Sequence, residues 1–131
     1  VPRVDVVNRD QASAFVTKDG SLIREILAPR NSSLRAQSLA EATLPPGTCT
    51  EAHYHPLTEE IYYILGGRGT MRIASEERRV ALHDAIAIPP GTPHQIRNDG
   101  EEDLVFLCCC APAYEHEDTV LVASLFPPNA I

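Results

Sequence analysis

Apolar and polar positions alternate along this chain in short runs, each closed by glycine, proline, asparagine or aspartate, and helical periodicity is weak throughout. The pattern predicts strands at 50–55, 60–65, 69–74, 79–82, 85–88, 94–97 and 104–110. Turns are expected at 56–58, at Gly66-Gly67, at Ser75-Glu76-Glu77, at Pro89-Pro90-Gly91 and at Asn98-Asp99-Gly100. Residues 33–42 carry helix-forming side chains. The hard stop at Thr43-Leu44-Pro45-Pro46-Gly47 nevertheless makes a strand the better reading there. Many short strands at close spacing mean an all-β sandwich or barrel. The tail from Ala111, with Pro112, Pro127 and Pro128, is expected to wrap the outside or to dock on a partner subunit.

Strand parity turns this pattern into chemistry. Side chains two apart share a face, so His53 and His55 can reach one ion inside a barrel. Glu60 opens the next strand and can offer a carboxylate to the same ion, while Glu59 points outward. His94, after the Pro-Gly turn, is a fourth candidate ligand. Three imidazoles and one carboxylate suit a single divalent Fe, Mn, Ni, Co, Cu or Zn ion better than Ca²⁺ or Mg²⁺. The same parity turns Cys49 and Glu51 inward with the histidines, and Tyr62 and Ile64 inward with Glu60. Tyr62 is thus the candidate catalytic group, either moving a proton or simply filling the barrel. Gln95 and Arg97 should face away and Ile96 inward. Cys108 and Cys110 share a face with Leu104 and Phe106, with its orientation left open. Arg68 and Arg72 are the possible inward cations, solvated surface being the plainer alternative.

Length and charge narrow the picture. A chain of 131 residues fits one domain with one core. A net charge of −7 with scattered Lys and Arg makes nucleic acid an unlikely partner. The opening Val1-Pro2-Arg3-Val4-Asp5 precedes no long apolar run, and no segment approaches a membrane span, so a cytoplasmic location and no membrane partner are expected. Cys49 stands alone and Cys108, Cys109 and Cys110 are consecutive, which matches neither a zinc spacing nor a disulfide framework; reduced, packed thiols are expected. The acidic run Glu115-His116-Glu117-Asp118 reads as a solvated loop, with metal binding through His116 as the lesser reading.

Two motifs then stand out. Gly47, five residues, His53-x-His55, four residues, Glu60, six residues and Gly67 reproduce the first cupin motif. His83, five residues, Pro89-Pro90-Gly91, two residues, His94, three residues and Asn98 reproduce the second, with His83 where that family has glycine. The chain therefore resembles the cupin superfamily, as a small monocupin, over Gly47 to Asn98. The resemblance implies an all-β double-stranded β-helix, or jelly-roll barrel, often dimeric. It divides one domain over 1–131 into N-terminal strands at 1–46, a motif core at 47–98, and a last strand and tail at 99–131. It implies His53, His55, Glu60 and His94 as metal ligands, and turn-shaping roles for Gly47, Gly67, Gly91 and Asn98. His83 should occupy a positive-φ turn at small cost rather than act as a fifth ligand.

The expected function is a small metalloenzyme of the dioxygenase type acting on a small organic substrate. A non-redox lyase, isomerase or decarboxylase using Tyr62, and a non-catalytic binder of an organic acid or sugar, are the alternatives. A homodimer is expected, with the N-terminal segment supplying an outer strand that covers a sheet edge, exchanged between subunits.

Overall fold

The alternation at 104–110 becomes the longest ladder of the molecule. β10 (Leu104–Ala111) buries Leu104, Phe106, Cys108 and Cys110 and turns the intervening residues away. It lies between β3 (Ser38–Leu44) and β5 (Glu59–Gly66), antiparallel to both. β2 (Leu22–Leu27) extends this sheet beyond β3, β1 (Ala14–Val16) extends it beyond β2, and β8 (Ala85–Ile88) pairs the other side of β5. The second sheet runs β11 (Val120–Leu121), β4 (His53–Tyr54), β9 (His94–Asn98), β6 (Arg68–Ile73) and β7 (Glu76–Ala81). This computed structural model describes residues 4–127, so the Val1-Pro2-Arg3 opening and Pro128 lie outside the described residues. Among the described residues the regular structure is strands and three short 3₁₀ turns, and no helix is long and apolar enough to cross a membrane.

Both sheets contribute to one core: Leu44, Tyr62, Ile64, Leu104 and Phe106 meet Met71, Val80 and Ile96 from the opposite sheet. This is an all-β sandwich, as the strand pattern predicted, in the jelly-roll arrangement that the cupin resemblance implied. Gly67 holds φ at +80°, and a Cβ there would stand 2.5 Å from the carbonyl oxygen of Asp103, so the β5–β6 turn accepts only glycine. His83 takes φ of +74° in the β7–β8 turn and stays exposed, its ring stacked on Tyr63 at 6.4 Å, away from the other histidines.

Three expectations are corrected. The strand assigned to 33–42 begins only at Ser38, because Ser32 bends the preceding chain by accepting from the Leu34 amide. The strand assigned to 50–55 is laddered only at His53–Tyr54. Upstream, Gln95 Nε2 donates to the Thr50 carbonyl, Thr50 Oγ1 accepts from the Ile96 amide, and the Glu51 amide donates to the Asp19 carbonyl. Parity fails across that irregular stretch, and Glu51 is exposed rather than inward. The edge of β3 is covered by β2, the outer strand expected of the N-terminal segment. The tail does not simply wrap the outside: β11 pairs with β4, and Tyr114 and Thr119 enter the barrel's cavity wall.

Candidate metal centre

Three imidazoles converge from two strands and a loop. His53 of β4 lies directly across the ladder from His94 of β9, and His55 follows β4. Each ring is fixed by its Nδ1, which faces a backbone carbonyl: Glu51 at 2.9 Å for His53, Asp118 at 3.0 Å for His55 and Thr92 at 3.0 Å for His94. A carbonyl oxygen only accepts, so each Nδ1 carries the proton. In the neutral rings the three Nε2 lone pairs are left to the interior. One nitrogen from each ring falls within 4.8 Å of the others, and all three residues are buried. Glu60 borders this group on one side, its Oε1 3.3 Å from His55 Nε2 and 3.7 Å from His94 Nε2.

Glu60 Oε1 and His94 Nε2 have no hydrogen-bond partner although both are buried. Orphaned acceptors of this kind are costly unless something satisfies them. A carboxylate oxygen and three aimed imidazole lone pairs are the donor set of a divalent transition-metal ion, and the residues present fit one. The arrangement also has the oriented Nδ1–H···O=C bonds that accompany metal-ligating histidines.

The electrostatics point the same way. Burial, followed by the proximity of His53, holds His94 down at about 4, so it is a neutral imidazole at ordinary pH. Burial also works to lower His55, but the neighbouring Glu60 carboxylate, followed by the Asp118 carbonyl, prevails and raises it. The Tyr62 phenol is pushed well above its ordinary value, first by burial and then by the Glu60 charge. A phenol held in this form donates a hydrogen bond. Its ring sits 5.9 Å from that of His94 and 4.5 Å from that of Phe106. Cys108 and Cys110 are likewise pushed up by burial and by Glu60, and remain thiols.

His53, His55, Glu60 and Tyr62 line one cavity. Its walls are mostly apolar, with Phe15, Ile23, Ala40, Ala42 and Phe106 prominent. Arg68 is exposed, and Arg72 turns away from the cavity to the Leu125 carbonyl and Glu77, so neither is an inward cation. The four cysteines are free: Cys108 and Cys110 are buried, Cys49 and Cys109 partly so. Asn98 ties β9 to the neighbouring turns by donating to the Leu44 and Glu102 carbonyls.

Sequence reasoning missed three contributors. Cys110 Sγ donates to Glu60 Oε2 at 3.3 Å, steadying the carboxylate; strand pairing of Cys110 with Glu60 would have revealed it. Asp118 holds the 57–58 loop through both amides and offers its carbonyl to His55, while His116 beside it is exposed. Asp19, from the turn between β1 and β2, brings Oδ2 within 3.7 Å of His53 Nε2. Nothing in the local sequence around Asp19 or Asp118 distinguishes them from ordinary turn residues.

Residues 40–110 match the model of the Cupin domain family. The chain is 50% identical to the uncharacterized protein MJ1618 of Methanocaldococcus jannaschii, over 86% of this chain and 90% of that protein. It is 29% identical to the tetracenomycin polyketide synthase protein TcmJ of Streptomyces glaucescens over 63% of this chain, spanning 56% of that protein's length. Its structure superposes on the crystal structure of a predicted oxalate decarboxylase from Thermotoga maritima with a TM-score of 0.72 and 26% identity, covering 82% of this chain and 98% of that one.

Proposed function

The chain belongs to the cupin family, and from that premise we propose that it is a small metalloenzyme that holds one divalent transition-metal ion on His53, His55, Glu60 and His94 and transforms a compact organic substrate without net oxidation. The observation that carries this reading is the pair of orphaned buried acceptors, Glu60 Oε1 and His94 Nε2, set beside two further imidazole lone pairs. When bound, such an ion supplies Lewis acidity towards a carbonyl, carboxylate or hydroxyl oxygen.

The remaining work falls to this chain's own groups. The backbone carbonyls of Glu51, Thr92 and Asp118 hold the imidazoles in one tautomer. Cys110 fixes Glu60 from behind. The apolar walls of β3 and β10 exclude water and orient the substrate's carbon frame. Tyr62, held protonated, donates a hydrogen bond to a substrate oxygen and can pass its proton to one that gains charge. The names of two relatives support this over oxygen chemistry: a polyketide synthase protein and a predicted oxalate decarboxylase.

The test is reconstitution with Fe, Mn, Ni, Co, Cu or Zn in turn. Turnover is then screened, with and without air, against small hydroxylated aromatics. Metal-dependent turnover that is independent of oxygen, and lost in Tyr62→Phe at unchanged metal content, is the expected result. Oxygen uptake in step with product would select the dioxygenase reading instead, and affinity without turnover a binding module.

A further inference from the structure

The ligand class follows from Asp19. Its Oδ1 is locked by three donors: Thr17 Oγ1 at 2.7 Å, the Ser21 amide at 2.9 Å and Ser21 Oγ at 2.6 Å. Its carbonyl accepts from the Glu51 amide at 2.6 Å, which pins the β1–β2 turn against the chain leading into His53. The carboxylate therefore cannot swing away, and Oδ2 is left facing His53 Nε2 and the cavity. Glu25, on the same wall, is paired with Arg30, so its charge is answered. Among the described residues lining the cavity there are three carboxylates, Asp19, Glu25 and Glu60, and no lysine or arginine.

The charge balance then decides what can enter. A divalent ion on the imidazoles carries two positive charges, and Glu60 and Asp19 together carry two negative ones. A dianion such as oxalate would approach a site of no net charge with a fixed carboxylate beside it, inside a low-dielectric wall where like charges repel strongly. An uncharged ligand with O–H or N–H groups meets the opposite situation, because Asp19 Oδ2 is an acceptor waiting for a donor. Resting on the metal-site reading above, we propose that Asp19 is a specificity-determining residue that turns this site away from carboxylate ligands and towards uncharged ligands bearing hydroxyl or amide donors.

The experiment titrates the Co(II)-loaded protein with oxalate and with oxamide, its uncharged isostere, following the cobalt absorption spectrum and checking by gel filtration that the metal stays bound. In Asp19→Asn, which keeps the Oδ1 acceptor, the ratio of oxalate to oxamide affinity should rise at least tenfold. Glu25→Gln, on the same wall but already neutralised by Arg30, should leave the ratio unchanged. A ratio that is the same in wild type and Asp19→Asn, or that moves as much in Glu25→Gln, overturns the proposal. The metal-free protein is titrated in parallel by calorimetry. Failure to take up cobalt would count against the metal reading alone, since the ratio tests Asp19 in either form.

Discussion

The strands β4, β5, β9 and β10 bring His53, Glu60, His94 and Cys110 to the interior by alternation alone, whereas the turn at 17–21 and the tail at 114–119 reach the same cavity through loop backbone and side-chain hydrogen bonds. The strand-built side is laddered on both edges and packed against Phe106 and Ile96, both fully buried. The side built from the two chain ends is joined by single contacts, such as Lys18 Nζ donating to the Thr119 carbonyl at 2.8 Å. The strands thus set which donors meet, and the ends set how those donors are held and what approaches them.

This contrast can be broken most sharply from the strand side. Phe106→Ala removes a ring that is 1% exposed and packed on Tyr62, and should cost about 3–5 kcal/mol in urea unfolding. A cost below about 1 kcal/mol would mean that the two sheets do not share this core. Next in size is a pH effect in the metal-free protein. His94 sits at about 4 in the fold against an unfolded value of about 6.5. On acidification the unfolded chain takes up the proton first, so stability falls between roughly pH 6.5 and 4, by up to about 3 kcal/mol. His55 opposes this, because its raised value contributes stability below the ordinary histidine range that fades as pH rises. Urea melts of wild type and His94→Gln over that window should converge at low pH; parallel curves would contradict the assignment.

The chain ends should answer more gently. Asp118→Ala frees the 57–58 loop and with it the carbonyl that orients His55, and should weaken metal binding about tenfold in chelator competition. Unchanged affinity would mean that the strands alone orient the ring. Lys18→Ala, at an exposed side chain, should shift stability by less than about 1 kcal/mol. A larger loss would make the two ends a cooperative unit rather than a loosely tied cover.

The same contrast explains what could be read from the sequence. Strand alternation at 60–65 and 104–110 placed Tyr62, Ile64 and the Cys108/Cys110 face correctly as a set, because a period of two survives any packing. Motif spacing made the cupin resemblance plain, and the fold sets His94 opposite His53. Parity misled at Glu51, where the Asp19 carbonyl and the Gln95 side chain rather than a regular ladder satisfy the backbone. Asp19 and Asp118 were illegible because their roles come from partners 34 and 63 positions away, contacts that only the closed barrel creates. Cys110, read as a packed thiol, is that and also the donor that steadies Glu60.

The central claim, a metal ion held by the His53, His55, Glu60 and His94 group, is tested most directly by elemental analysis. Protein purified without a histidine tag and reconstituted with each candidate metal is compared with a His53→Ala, His55→Ala double variant. Close to one transition-metal ion per wild-type chain and none in the variant is the expected result. Equal metal in both proteins, or none in either after reconstitution, would contradict it.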